Sequence, residues 1–350
     1  MSFIEKKKHY NNLFILGVIL LFILIIFSTY IGVADISFKQ TSIIILSKLP
    51  MVNKYFNLNN IKETSKLIIL NLRLPRVLLA SLVGSGLSVV GASFQSIFKN
   101  PMADPYILGV SSGAAFGATL TLILGLSGSF LGMGATAIGA FIGAIITVIV
   151  VYSIARVGKK IPTTMLLLAG IAISFMLSSF ISLIMIFKRE QIENIIMWTM
   201  GSLGAATWEQ IILLTPVILI GIVLLYIFSR HLNIMLLGDD TAKNLGINTD
   251  KIKKVLMVIS SIIVALVVSV SGVIGFIGLI IPHTIRMILG SDNRVIIPFS
   301  ALGGAIFLII CDTLARILVP PTEIPVGIIT SLFGVPFFIK ILYSSKKKVS

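Results

Sequence analysis

Residues 163–187 read TTMLLLAGIAISFMLSSFISLIMIF, a run without one charged side chain, closed by Lys188-Arg189-Glu190. Wound as a helix rising ~1.5 Å per residue, it is about 37 Å long and crosses a hydrocarbon layer of about 30 Å. The rest of the chain follows the same pattern. Of its 350 residues 57% are hydrophobic and 12% charged, roughly half the charged share of a soluble domain. Such a chain lacks the polar residues to cover a water-facing surface. Soluble enzyme, secreted domain and disordered chain are excluded, leaving an all-α, polytopic membrane protein.

Working outward from 163–187, apolar runs separated by short polar gaps predict about ten spans: 12–33, 75–97, 106–126, 132–154, 163–187, 210–229, 255–273, 278–289, 295–311 (to Leu314 at most) and 325–343. The second begins at Pro75, a residue suited to a first helical turn, and closes at Lys99-Asn100-Pro101. The third carries Gly109, Gly113 and Gly117 at four-residue spacing, which favours a close helix–helix contact in lipid. Ser269, Gly272, Gly275, Gly278 and Pro282 divide 255–290 into two spans. Trp198 and Trp208 suit a membrane interface.

The 28 Lys and Arg against 13 Asp and Glu give +15. In a soluble protein that excess raises the question of nucleic acid; here it sits in short gaps, as positive-inside loops do, and no nucleic-acid partner is expected. Lys6, Lys7 and Lys8 precede the first run, which is over-long for a signal peptide. Both termini are therefore expected inside, with 99, 156–160, 230–254 and 286–294 on the same side. Cys311 is alone, and His9, His231 and His283 form no ligand-spaced set. Residues 1–350 read as a single transmembrane domain.

Walker A, zincin and nucleophile-elbow motifs are all missing, so the chain is not expected to be an enzyme. The deep spans are almost free of charge and show no repeat, unlike many secondary transporters. Charge gathers instead at span ends, suggesting energy supplied by docked proteins. On the outer side are Arg73, Arg76 and Arg316, whose planar forks suit a partner's carboxylates; interface snorkelling or lipid phosphate contact is the lesser alternative. On the inner side, within the polar segment 230–254, Leu237-Gly238-Asp239-Asp240-Thr241-Ala242-Lys243-Asn244-Leu245-Gly246 predicts a short amphipathic helix able to enter a partner's groove. An ordinary solvated loop is the bland reading of that segment.

Seven stretches resemble a known family: LRLPR (72–76), GSGLSVVGASFQSIFKNPMADPYILGVSSGAAFG (84–117), LLLAGIAIS (166–174), MGSLG (200–204), LGDDTAKNLGI (237–247), SGVIGFIGLIIPHTIRMILGSDNR (271–294) and PTEIPVGIITSLFGVPFFI (321–339). Together they resemble the permease subunits of iron-siderophore, haem and cobalamin importers of the ATP-binding-cassette class, over about 65–340. The resemblance implies a type II importer permease fold in a bacterial or archaeal cytoplasmic membrane, with ten helices and both termini cytoplasmic. It implies pairing with a second copy or a homologous permease. Two cytoplasmic ATPase subunits would carry the ATP and Mg, an extracytoplasmic substrate-binding protein would dock outside, and lipid would surround the spans. No cofactor is expected on this chain.

By the same resemblance, Leu237, Gly238, Asp239, Asp240, Ala242, Leu245 and Gly246 look like the ATPase-coupling segment, although the family often has glutamate where Asp240 stands. Arg73, Arg76 and Arg316 look like arginines that take carboxylates on the binding protein. Asn100, Pro101, Pro105 and Gly109 match the turn between spans two and three, and Gly278, Pro282, His283 and Arg286 match the turn into span eight and the helix beyond it. Gln95, Ser88, Ser96, Ser111 and Ser112 are polar candidates for the pathway. His283, beside a proline, reads as a structural residue rather than an iron ligand. The cargo implied is an intact iron complex, a ferric siderophore first, then haem or cobalamin. An ion-gradient-driven transporter is the competing reading, and a scaffold without transport is a third.

Overall fold

A computed structural model describes residues 3–48, 61–130, 132–158, 162–320 and 322–349. Lys159, Lys160 and Pro321, and the polar stretch containing Asn57, Asn59 and Asn60, lie outside the described residues.

The helices are α1 (Phe3–Tyr30), α2 (Phe38–Leu46), α3 (Glu63–Ile97), α4 (Val110–Ile123), α5 (Ala135–Ala155), α6 (Thr163–Phe187), α7 (Ile192–Thr199), α8 (Trp208–Ile227), α9 (Ser229–Leu236), α10 (Asp239–Asn244), α11 (Thr249–Ser271), α12 (Ile277–Leu289), α13 (Asn293–Ile317) and α14 (Val326–Val349). Among the described residues seven helices are long and apolar enough to span a membrane, and α4, α12 and the apolar part of α14 are shorter apolar helices. These ten are the ten expected crossings. A two-stranded hairpin, Ser129–Phe130 with Met133–Gly134, closes the connection between α4 and α5.

α3 is the axis of the bundle. In its apolar window 78% of residues are buried, and α8, α11, α12 and α13 pack around it. Its glycines explain how so many helices reach one axis. A β-carbon on Gly84 would collide with the Gly304 carbonyl of α13, and one on Gly91 with the Gly278 carbonyl of α12. The spacing of Gly113 and Gly117 serves as expected: on α5, Gly113 meets Thr147 and the Gly143 carbonyl, and Gly117 meets the backbone of Gly139 and Gly143. Such backbone-to-backbone approach stabilises helix pairs in lipid, where no hydrophobic difference between helix and solvent exists. Gly109 instead takes φ 72° just before α4.

Two span boundaries differ from expectation for a shared reason. α3 starts at Glu63 rather than near Pro75, and α13 continues to Ile317, past the expected Leu314. Charges at Arg73, Arg76, Asp312 and Arg316 marked ends in the sequence, but Arg76 and Arg316 pair with Asp312, Arg73 bonds to backbone carbonyls, and all four stay helical. α3 passes them through a π-helical turn, Ile68–Arg73. There the Leu70 carbonyl accepts from the Trp208 indole at 2.8 Å. The span expected at 106–126 is α4 alone, preceded by a 3-10 turn at Pro105–Leu108.

Candidate functional site

The polar groups fall into two clusters at opposite ends of α3. At the end assigned to the outside, α1 finishes with open carbonyls, as any helix does. Arg73 donates to the carbonyls of Tyr30 and Ala34, each at 2.7 Å. Arg316 donates to those of Ile31 (2.9 Å) and Ser28 (3.1 Å), and to the Ser28 hydroxyl (2.9 Å). Between the arginines lies Asp312, fully buried. It pairs with Arg76 Nε at 2.9 Å and Arg316 Nε at 3.2 Å. Arg76 turns its remaining arm to Glu323, 2.7 Å away and half exposed.

This differs from the expectation of three forks facing a partner. Each arginine is 7% exposed, and the forks are spent on α1 carbonyls, Asp312 and Glu323. The excess of arginine on the outer side has an internal cause: a helix end and a buried carboxylate both need donors. Arg76 shares its fork with Glu323, the most exposed group of the cluster. Sequence reasoning missed Asp312 and Glu323, although Asp312 stands four residues before Arg316 on one helical face, a recognisable pairing.

At the inner end, α9 leads to Leu237 and then to Gly238, whose φ of 123° is hard for any side chain to adopt. The chain turns there into α10. Ala242 is buried against the bundle and Gly246, at φ 81°, ends the unit. Asn248 caps α11 by accepting from the Lys251 amide at 3.0 Å. Leu237 and Leu245 are 68% and 61% exposed, with Asp240 exposed between them. A short helix resting on one alanine thus presents two leucines and a carboxylate away from the bundle. Asp239 faces inward, paired with Lys99 and Lys253 at 2.7 and 2.5 Å. Burial works to raise the Asp239 pKa, but the two lysines outweigh it and hold the carboxyl below its usual range.

The residues expected at the turns come together as a packed joint. Asn100 accepts from the Met102 amide at 2.9 Å, and Pro101 follows it in the turn. Pro105 lays its ring against Gly278. The Tyr106 hydroxyl donates to the Ile274 carbonyl at 2.8 Å and accepts from the Ile274 amide at 3.2 Å. Pro282 is buried in α12, with His283 and Arg286 half-buried beyond it.

Three polar candidates for the pathway face elsewhere. Gln95, Ser88 and Ser96 are buried where α3 packs on its neighbours. Gln95 donates to the Leu279 carbonyl at 3.0 Å, tying α3 to the first turn of α12. Ser96 bonds to Asn293 at 2.8 Å. Ser111 and Ser112 are part-exposed. A cavity of about 680 Å³ opens instead between the end of α7, the 273–275 strap and α14, with Thr199 and Ser331 among mostly apolar lining. Among the described residues no three His, Cys, Asp or Glu side chains converge to hold a metal.

Comparison with known proteins matches this arrangement. The FecCD transport family profile covers residues 20–344. The hemin transport system permease HmuU of Yersinia pestis is 42% identical over 80% of this chain and 84% of its own. The cobalamin import system permease BtuC of Halobacterium salinarum is 41% identical over 81% of this chain and 75% of its own. A solved metal-chelate type ABC transporter in an inward-facing conformation superposes with a TM-score of 0.81 at 30% identity, covering 95% of this chain and 99% of that one.

Proposed function

The chain belongs to the FecCD transport family, and from that membership we propose that it passes an intact metal chelate inward, a ferric siderophore first among them. It is a multi-pass membrane permease of the ATP-binding-cassette class. Two features support the cargo class. The cavity is large and weakly polar, suited to a bulky complex that must leave again. The relatives named for hemin and cobalamin both carry a metal inside an organic ring.

The observation that carries the mechanism is the outward presentation of Leu237, Asp240 and Leu245 by α10. Two apolar anchors around a carboxylate fit a groove on a cytoplasmic protein. In our reading two ATPase subunits sit there, below a pair of permeases, and their closure on ATP drives the passage. Replacing Asp240 with lysine is expected to lower ATP-dependent uptake by about tenfold or more, since a like charge set against a docked surface costs several kcal/mol. Uptake of radio-iron ferrichrome, hemin and cobalamin into vesicles, with and without the ATPase, checks both cargo and drive. Full uptake by Asp240→Lys would refute the coupling role. Uptake by the permease alone under a proton or sodium gradient would favour a secondary transporter.

At the outer end, the proposed place for a substrate-binding protein is the rim at Glu323, the half-exposed partner of Arg76. Reversing the buried arginines would disrupt the outer end itself, so capture is better tested at the rim. Glu323→Gln weakens the hold on one arm of Arg76 and is expected to tighten capture of a carboxylate-bearing binding protein at low salt. Unchanged affinity, measured by surface-immobilised binding, would exclude this rim.

A further inference from the structure

α10 is fastened to the bundle by charge as well as by its chain neighbours. Asp239, its first residue, holds Lys99 Nζ with one oxygen at 2.7 Å and Lys253 Nζ with the other at 2.5 Å. Lys253 stands near the start of α11, the next helix in the chain. Lys99 belongs to a remote element, the turn after α3, and adopts φ 50°. A non-glycine residue in the left-handed region is uncommon and holds only where its surroundings fix it.

From Lys99 the contacts run on without a gap. The Asn100 amide donates to the Gln95 carbonyl at 3.1 Å, and Gln95 holds the Leu279 carbonyl. Five residues beyond Asn100, Pro105 packs on Gly278. Tyr106 brackets Ile274, whose neighbours Val273 and Gly275 line the large cavity. One rigid joint therefore lies between the Asp239 carboxylate and the cavity wall.

We propose that Asp239 is a positioning residue, a clasp through Lys99 that carries displacement of α10 to the turn at 99–109 and so to the cavity. Asp240 meets the partner; Asp239 grips the permease. The proposal rests on the coupling role of α10 given above. A purely structural purpose fits the pair poorly. Lys99 and Asp239 are each more than a third exposed, and ion pairs so open to water add little to folding.

The test uses the permease assembled with its ATPase in nanodiscs, with cysteines replacing Thr199 and Leu332 to carry spin labels across the cavity. Cys311 is buried and stays unlabelled. The readout is the change in label distance on adding Mg-ATP and vanadate, with ATP hydrolysis and subunit co-purification measured on the same samples. D239N and K99M are expected to lose the distance change while retaining hydrolysis and co-purification, and K99R is expected to keep it. The D239N/K99M double variant should lose no more than either single one, as two halves of one contact do. Loss of co-purification in D239N would place Asp239 at the partner surface and overturn the clasp. So would a distance change that survives in both single variants. If D239N fails to fold, the contrast between K99M and K99R decides alone. No distance change in the wild type, or normal assembly and cycling in D240K, would overturn the coupling role of α10 itself.

Discussion

Replacing Asp312 with alanine is expected to destabilise the folded permease by about 3–5 kcal/mol, the cost of leaving a buried charge without its partner. The site explains why the loss is so large. Arg76 and Arg316 both point at one carboxylate with no exposure to water. Removing it leaves two buried guanidinium groups facing each other, with Arg73 close by. Arg316 would keep its bonds to Ser28 and Ile31, and Arg76 its bond to Glu323, but none of these offsets the added repulsion. Glu323→Gln supplies the contrast. Its carboxylate is half exposed, so the change is expected to cost less than about 1 kcal/mol. Thermal unfolding of the two variants in the same detergent or nanodisc measures the difference. Equal midpoints would show that Asp312 does not hold the outer end together.

The same cluster shows what a sequence conveys about a membrane protein. Number and order of crossings were legible because lipid imposes one strong rule, that every span be long and apolar. Gly113 and Gly117 of α4 were legible for a related reason, since four-residue spacing favours close helix contact, whereas Gly109 serves instead as the left-handed residue before the helix. The α10 segment was legible as a short helix ended by glycine, and Leu237 and Leu245 do face away from the bundle. The arginines were misread because a charge beside an apolar run looks alike whether it faces water or a buried carboxylate. What decides is the partner, and Asp312 lies more than two hundred residues away from Arg76. Lys99 was hidden in the same manner, one inner-loop lysine among many until the fold set it against Asp239. Gln95 was a candidate for the pathway only as a polar side chain in a span, since the sequence does not show which face it uses. The Leu279 carbonyl, in the first turn of α12, accepts from it instead.

A single methyl group at Gly91 is expected to have an effect out of proportion to its size. Gly91 lies midway along the inner half of α3, where the backbone of α12 crosses it. A β-carbon there would overlap the Gly278 carbonyl and crowd the Gly278 carbonyl carbon and α-carbon, all of them backbone. No side chain can swing aside to make room. Gly278 is itself hemmed in, by the Pro105 ring and by the Leu87 carbonyl. Overpacking of a core costs typically about 1–3 kcal/mol and occasionally more, and a clash with backbone belongs at the upper end. The consequence for function follows from the same geometry. Pushing α12 from α3 strains the Gln95–Leu279 bond and shifts Pro105, and with it the turn that joins Lys99 to the cavity wall. Gly91→Ala is therefore expected to lose both thermal stability and ATP-dependent uptake. Gly134→Ala is the matched control: its φ of −63° suits any residue and its β-carbon meets nothing, so it should stay within about 0.5 kcal/mol of the wild type. If Gly91→Ala unfolds at the wild-type midpoint, the close crossing of α3 and α12 is not what seats the turn at 99–109.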